Sequence, residues 1–301
     1  MSGTGVRIQH EAFCPEVAPL LCAEQEIPVH LHDQKITWFR LEPGLTAGLG
    51  QGFQLSLSVP VDLRVVRVDY YTLEGAVFNP PYDDIHHRNE TLGGLTDGTW
   101  MLRWYRMPLP KVLVGVGLGS SLPFGKTEED PFQLTEQGLT HQHLQLGSGT
   151  FVPAAELSLM WMSARWSFWF SAAGRLPLYA NKKGYQPPRS LNLSAGPGFR
   201  LVKPFQLLGT LDLLSESAEL WHEVPYGGRT ALGGSLSGMY SVSKQVVLQA
   251  QLRGTFAQWN MSHHDTAEEE GSFVQRVVGM AGVSWTFGKS TEAEEPTDPK
   301  R

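Results

Sequence analysis

The sequence predicts an all-β protein, an up-and-down antiparallel transmembrane β-barrel of about twelve strands with an irregular N-terminal segment. Three observations predict this fold class. Apolar and polar residues alternate along most of the chain, the connections between these segments are short and long in turn, and large aromatic residues lie near the short connections.

The alternation is clearest in the segment 246–259. Its even positions include Leu248 and Leu252, whereas its odd positions include Gln249 and Arg253. A β-strand separates its two faces with this period of two residues. A soluble sheet would turn the apolar face toward a core, and a transmembrane barrel would turn it toward lipid. One strand does not decide between the two arrangements.

The same alternation recurs along the chain and divides it into segments. We expect a barrel over 26–288, preceded by an irregular segment over 1–25 that could enter the lumen as a plug, and followed by a disordered polar tail over 289–301. The predicted strands are 35–48, 53–61, 99–107, 111–121, 149–162, 166–179, 189–202, 205–214, 229–242, 246–259 and 273–287, with a further one at 26–32.

The lengths of the connections favour the membrane barrel. Short connections are expected at Gly48–Gly52, Pro108–Pro110, Ser163–Arg165, Lys203–Pro204 and Ser243–Gln245. Long ones are expected at about 72–98, 122–148, 180–188, 215–228 and 260–272. Outer-membrane barrels have short turns on one side and long loops on the other, whereas a sandwich with Greek-key crossings has no reason to alternate in this way.

The aromatic residues lie on the apolar faces close to the short connections, as in a girdle at a membrane interface. They are Phe53, Trp104, Trp161, Trp166, Phe168, Phe205, Tyr240, Trp285 and Phe287. The opposite faces carry polar and charged side chains that we expect to face the lumen. These are Arg40, Glu42, Arg103, Glu156, Arg175, Arg200, Asp212, Gln249, Arg253 and Arg276.

Composition excludes several classes of protein. The net charge of −6 and the lack of any lysine and arginine cluster argue against a nucleic-acid partner. No apolar run reaches the roughly 18 residues that a membrane-spanning helix needs. The first residues do not have the pattern of a signal peptide, so we expect that an export signal is absent from this chain.

The two cysteines, Cys14 and Cys22, lie close together near the N-terminus. We expect them to form a disulfide in an exported protein, the alternative being two unpaired thiols.

Histidines concentrate where the long connections are expected. His86, His87, His141 and His143 occupy two adjacent long connections, and imidazoles beside carboxylates suit Cu or Zn. We therefore consider a metal site at the mouth, with Asp84 or Glu90 as a further ligand. The plainer alternative is that these side chains hydrogen-bond neighbouring loops and hold a lid closed.

A third hypothesis is a barrel hydrolase. Asp83 and Asp84 beside a histidine could activate a water molecule, but no serine lies in a recognisable nucleophile motif. We therefore predict that the protein is not an enzyme.

Two stretches carry a resemblance to a known family. Val114–Gly125 in "VGVGLGSSLPFG" and Leu144–Val152 in "LQLGSGTFV" resemble paired glycine motifs of outer-membrane barrels known as meta-pathway phenol-degradation proteins, which are distantly similar to the long-chain fatty-acid channel. The terminal "VSWTFG" resembles the aromatic-ended last strand of outer-membrane proteins. The resemblance implies a bacterial outer-membrane transporter for small, hydrophobic or aromatic molecules. The oligomeric state stays open.

Overall fold

A computed structural model of the protein describes residues 1–12, 27–81, 88–260 and 274–287, which are all-β apart from one short helix. The strands are β1 (Ser2–Ala12), β2 (His30–Leu41), β3 (Gly44–Gly50), β4 (Phe53–Ser58), β5 (Val61–Thr72), β6 (Glu90–Leu95), β7 (Gly98–Leu109), β8 (Val112–Leu122), β9 (Pro153–Met162), β10 (Trp166–Arg175), β11 (Tyr185–Gln186), β12 (Ser190–Val202), β13 (Phe205–Glu216), β14 (Glu219–Trp221), β15 (Val224–Tyr226), β16 (Arg229–Ser241), β17 (Val246–Asn260) and β18 (Val274–Trp285). The helix, α1, is Pro131–Glu136. No helix within the described ranges is long and apolar enough to cross a membrane.

Fifteen of the strands form one antiparallel sheet in which neighbours in space are mostly neighbours along the chain. From β7 onward the order is β7, β8, β9, β10, β12, β13, β16, β17 and β18. The first strand, β1, pairs with β18 on one side and with β2 on the other. The remaining strands, β11, β14 and β15, form a small separate sheet.

Short interruptions divide the first long strands of the sheet. β2 and β3 are separated by Glu42 and Pro43, and β4 and β5 by Val59 and Pro60. Proline has no backbone N–H to donate to a ladder, so it interrupts the regular pattern. The pairing continues across the gaps, because the Val59 N–H donates to the Pro43 carbonyl and the Thr96 N–H donates to the Pro60 carbonyl.

The N-terminus differs from the prediction. An irregular segment was expected over 1–25, but Ser2–Ala12 form β1, paired along its whole length with β2. Cys14 and Cys22 lie outside the described residues. The disulfide expected between them and the plug expected from this segment therefore stay predictions. The tail 289–301 also lies outside them.

The first long connection is also shorter than predicted. A strand was expected to end at residue 61 and a connection to cover 72–98, but β5 continues from Val61 to Thr72 and β6 occupies Glu90–Leu95. The strand predicted at 26–32 is not separate, because its last residues begin β2, and the strand predicted at 149–162 starts only at Pro153. The other predicted strands, and the short connections between them, are confirmed to within a few residues.

One face of the sheet, here called the outer face, carries exposed apolar side chains. Leucine, valine and phenylalanine side chains from strands all around the sheet are exposed: Leu45, Leu55, Leu63, Leu118, Leu211, Leu236, Leu252, Phe256 and Val283. Aromatic side chains near the short turns are exposed as well, among them Trp161, Trp166, Phe168, Tyr240 and Trp285. So large an apolar surface is not stable in water, and hydrocarbon is the medium that covers it favourably.

The inner face of β8 is made largely of glycine. A side chain at Gly119 would meet the Met101 side chain and one at Gly115 would meet Tyr105, both within 3 Å. A side chain at Gly117 would crowd Arg103 at 3.1 Å. The missing side chains of β8 therefore leave room on the inner wall for the large side chains of β7.

Site-directed labelling tests which face each side chain occupies. We expect cysteines placed at Leu248, Leu252 and Leu193 to react only with lipid-soluble reagents, because the alternation predicts that these positions face the bilayer. Cysteines at Gln249, Arg253 and Asn192 are expected to react with water-soluble maleimides. The measurement is labelling of single-cysteine variants in liposomes, and the reverse pattern would contradict the assignment of the two faces.

Candidate functional site

The inner face carries an ion pair between β7 and β9. The guanidinium of Arg103 donates from Nε to Glu156 Oε2 at 2.6 Å and from Nη2 to Glu156 Oε1 at 3.0 Å. Its Nη1 also donates to Ser56 Oγ. A bidentate pair of this kind holds both side chains in one orientation.

A second charged cluster joins β2 and β5. The carboxylate of Asp62 is fully buried and accepts two hydrogen bonds from Arg40, at 2.7 and 3.0 Å. Its Oδ2 also accepts from Arg64 Nη2 at 2.9 Å. The Arg64 guanidinium lies over the ring of Trp38, 4.2 Å from the centroid, as in a cation–π contact.

A third cluster surrounds Asp212 on β13. Its Oδ1 accepts from Ser194 Oγ at 2.5 Å and from Thr210 Oγ1 at 3.1 Å. Arg253 Nε lies 3.6 Å from Asp212 Oδ2.

Five of the predicted lumen residues belong to these three clusters: Arg40, Arg103, Glu156, Asp212 and Arg253. The other five lie outside the clusters and are exposed: Glu42, Arg175, Arg200, Gln249 and Arg276. Sequence reasoning missed Asp62 and Arg64, because the strand was expected to end at residue 61. The alternation in "VDLRVVRVDYYT" was the signal that could have found them.

An apolar layer lies next to the charged cluster of β2 and β5. Its members are the buried side chains of Val6, Ile36, Val66 and Val68. Tyr70 and Leu144 pack against them. Leu144 does not belong to the wall, because it comes from the long connection between β8 and β9.

That connection, residues 123–152, is here called the capping loop. Its two ends cross where the backbones of Gly125 and Gly147 touch, since a Cβ on Gly125 would lie 2.5 Å from the Gly147 Cα. The carboxylate of Asp97 clamps the crossing: it accepts from the Gly125 N–H at 3.1 Å and the Ser148 N–H at 2.7 Å. The two glycine motifs of the sequence therefore meet in space at the base of this loop.

The capping loop is also tied to the inner wall. Arg64 Nη1 donates to the Gln145 carbonyl at 2.8 Å, and Arg88 Nη1 donates to the His141 carbonyl at 3.0 Å. Gln142 Nε2 donates to Glu90 Oε1. These contacts hold the loop against the β5–β6 side of the wall.

Two of the four candidate metal ligands are described. His141 and His143 have their Nε2 atoms 3.2 Å apart, and His141 Nδ1 lies 2.9 Å from the Leu139 carbonyl oxygen. His30 and His32 repeat this arrangement with an Nε2 separation of 3.1 Å. His86, His87, Asp83 and Asp84 lie outside the described residues. Within the described ranges, no three candidate ligands come together.

The small sheet of β11, β14 and β15 forms part of the same loop assembly. Tyr226 of β15 stacks on Phe132 of α1, with ring centroids 3.6 Å apart. Tyr185 Oη donates to Glu219 Oε2 at 3.1 Å, and burial raises the pKa of the Glu219 carboxyl group. The capping loop is thus continued by the loops that follow β10 and β13.

The raised pKa of Glu219 predicts how pH affects this small sheet. A carboxyl group with a raised pKa favours the folded form below its unfolded value, and this contribution is lost as pH rises through the folded pKa. Glu219→Gln is neutral and retains an acceptor for Tyr185, so at neutral pH we expect slower amide hydrogen exchange in β14 and a weaker pH dependence. The control is Glu223→Gln, which is exposed in the same hairpin. Equal exchange in both variants would contradict the prediction.

The exposed apolar face, the charged clusters on the opposite face and the capping loop are the arrangement expected of an outer-membrane β-barrel. The chain is similar to a solved outer-membrane channel of Pseudomonas putida F1, with 11% identity, a TM-score of 0.55 and 95% of each chain covered. No protein-family model matches the sequence, and no curated protein matches it.

Two further solved structures are similar at lower scores. The NanC porin is 8% identical, with a TM-score of 0.44 over 94% of this chain and 100% of the porin. The CymD monoaromatic hydrocarbon channel is 9% identical, with a TM-score of 0.39 over 95% and 89%. The assignment of the fold rests on the channel of Pseudomonas putida F1. The fold and the apolar belt place the protein in the bacterial outer membrane.

Proposed function

We propose that the protein is a non-enzymatic channel of the outer membrane that passes small hydrophobic or aromatic molecules. The single observation that carries this proposal is the polarity of the sheet. Exposed leucines lie on one face of the sheet, and ion pairs such as Arg103–Glu156 and Arg40–Asp62 lie on the other. A lumen with charged walls beneath a folded loop is the arrangement of a selective passage. The choice of hydrophobic or aromatic molecules is supported by the resemblance of the glycine motifs.

We also propose that the sheet closes into a barrel of about twelve strands. The pairing of β1 with both β18 and β2 supports closure. The count follows if three pairs of consecutive strands each form one interrupted strand: β2 with β3, β4 with β5, and β6 with β7. The pairings β2–β5, β3–β4 and β4–β7 support these three interrupted strands. The nine other strands of the sheet, β1, β8, β9, β10, β12, β13, β16, β17 and β18, complete it.

The absence of enzyme activity is part of the proposal. The described carboxylates of the lumen clusters, Asp62, Glu156 and Asp212, each face an arginine. An adjacent cation favours the ionised form of a carboxylate and makes it a poor proton acceptor. These groups therefore suit ion pairing better than general-base catalysis.

Reconstitution tests the channel. Purified protein in planar bilayers is expected to give discrete conductance steps. Cells that lack their major porins are expected to accumulate phenol faster when they express this protein. The matched control is Leu139→Ala, an exposed position of the capping loop, which should conduct like the wild type. A protein that is folded by its heat-modified gel migration but conducts no current would overturn the proposal.

A second candidate function is metal binding at the mouth, which the geometry of His141 and His143 favours. Their Nε2 separation of 3.2 Å is close to that of two nitrogens bonded at about 2.0–2.1 Å to one tetrahedral zinc ion. The Leu139 carbonyl fixes the proton on His141 Nδ1, an outer contact typical of metal-bound imidazoles. His86 and His87 would be the further ligands.

Zinc titration by calorimetry separates this candidate from the first. The double change His141→Ala and His143→Ala is expected to abolish binding, while His222→Ala, at an exposed position beside Asp130, leaves it unchanged. Binding that survives the double change would remove the metal hypothesis and leave the channel untouched.

A further inference from the structure

The inner faces of β2 and β5 place a charged layer directly beside an apolar one. Trp38 and Ile36 are two residues apart on β2, and Arg64 and Val66 are two residues apart on β5. Side chains two residues apart on one face of a strand lie about 6.6 Å apart. A molecule the size of one benzene ring with a polar group can therefore touch both layers at once.

The charged layer has one cation that is incompletely satisfied. Arg40 holds Asp62 in a bidentate pair, so only one contact, from Nη2, ties Arg64 to that carboxylate. Glu42 lies on the Arg40 side of the cluster and is exposed. The Arg64 side chain is only 8% exposed, and its Nε has no hydrogen-bond partner.

A buried donor without a partner is unfavourable by about 1–3 kcal/mol, and more when it is charged. In addition, the one contact with Asp62, which Arg40 already pairs, does not fully offset the charge of Arg64, so a second anion beside this guanidinium is favoured. Its Nη1 already holds an oxygen atom, the carbonyl of Gln145 in the capping loop.

The apolar layer is occupied by the same stretch of the capping loop. The Leu144 side chain packs against the cluster formed by Val6, Ile36, Val66 and Val68. Leu144 and Gln145 together thus present an apolar group to one layer and an oxygen acceptor to the other. These two adjacent residues thus combine an apolar group and a hydrogen-bond acceptor, as a small amphiphilic molecule does.

We propose that this place is a binding site for small organic carboxylates with an apolar or aromatic body, and that Leu144 and Gln145 occupy it when no ligand is bound. The carboxylate takes the position of the Gln145 carbonyl at Arg64, and the apolar body takes that of the Leu144 side chain. A carboxylate binds a guanidinium more strongly than a neutral carbonyl does, which favours the exchange. The inference rests on the proposed channel and adds small organic monoanions to the molecules that it would bind.

Binding of three probes to the protein in lipid nanodiscs tests the site. Benzoate has both the charge and the ring, benzamide has the ring without the charge, and acetate has the charge without the ring. Isothermal titration calorimetry is corrected with empty nanodiscs. The wild-type protein should prefer benzoate to both other probes.

Two variants test the two parts of the site separately: one removes the Leu144 side chain from the apolar layer, and the other removes the charge of Arg64. Leu144→Ala leaves the apolar layer open, so it should bind benzoate and benzamide about tenfold more tightly, with acetate unchanged. Arg64→Met should weaken benzoate about tenfold or more and leave benzamide unchanged.

Matched controls lie on the same elements. Leu139 is exposed on the capping loop and Arg67 is exposed on β5, so Leu139→Ala and Arg67→Met should bind all three probes like the wild type. If Arg64→Met does not fold, Arg64→Lys keeps the charge and should show an intermediate loss for benzoate only.

The proposal is overturned if Leu144→Ala matches Leu139→Ala, or if Arg64→Met matches Arg67→Met. Conductance in planar bilayers is measured on the same samples. Current without the expected binding pattern would overturn this site alone, whereas loss of current in the folded wild-type protein would overturn the channel.

Discussion

Replacing Asp62 by asparagine is expected to lower the free energy of unfolding by about 3–5 kcal/mol, because the change leaves the buried Arg64 and the half-buried Arg40 without their shared anion. The Asp62 side chain is fully buried and contacts both Arg40 and Arg64. The measurement is urea unfolding of the protein in lipid vesicles, followed by tryptophan fluorescence.

The matched control is Asp69→Asn on the same strand. Asp69 pairs with Lys35 at 2.7 Å, but both side chains are about half exposed. An exposed pair contributes roughly 0–1 kcal/mol, so this variant should unfold almost like the wild type. Equal destabilisation by the two changes would show that the inner cluster is open to water.

Leu252→Arg is expected to destabilise the protein by about 2–4 kcal/mol, the usual effect of an arginine on a lipid-facing strand near the middle of the bilayer. Leu252 is 59% exposed on the outer face, beside the equally exposed Leu236 of β16. The yield of folded protein in lipid vesicles, read from heat-modified gel migration, should fall with the stability.

Gln249→Arg is the control for charge and size on the same strand, because Gln249 lies on the opposite face of β17. We expect little change in stability from it. Should Gln249→Arg prove the more damaging of the two, the outer and inner faces of β17 would have been assigned the wrong way round.

Much of the sheet could be predicted from the sequence because side chains that face lipid must be apolar, which gives every second residue of a strand the same character. β17 follows this rule with exposed leucines at 248 and 252. β1 and the upper part of β5 do not. Val6, Val66 and Val68 turn their apolar side chains inward, while Arg67 and Asp69 are exposed outside. In these stretches the apolar side chains point inward and the charged ones outward, as in a water-soluble protein. A pattern of outward-facing apolar residues therefore does not identify them as strands.

The charged clusters were only half predictable for a similar reason. Alternation indicates which face a charge occupies, and it found Arg103, Glu156 and Asp212. It does not indicate which charges meet, since Arg103 and Glu156 come from strands separated by β8. The contact between Leu144 and the wall depends on how a long loop folds back, and no local pattern records that.

The crossing of Gly125 and Gly147 has a consequence for how such proteins diversify. The segment between them leaves the wall and returns to it at almost the same point, where Asp97 holds both ends together. Because both ends are fixed at this one point, the parts of the loop that make no contact with the wall can vary in length and composition. Insertions or deletions in those parts would alter how the loop covers the sheet and would leave the strands unchanged.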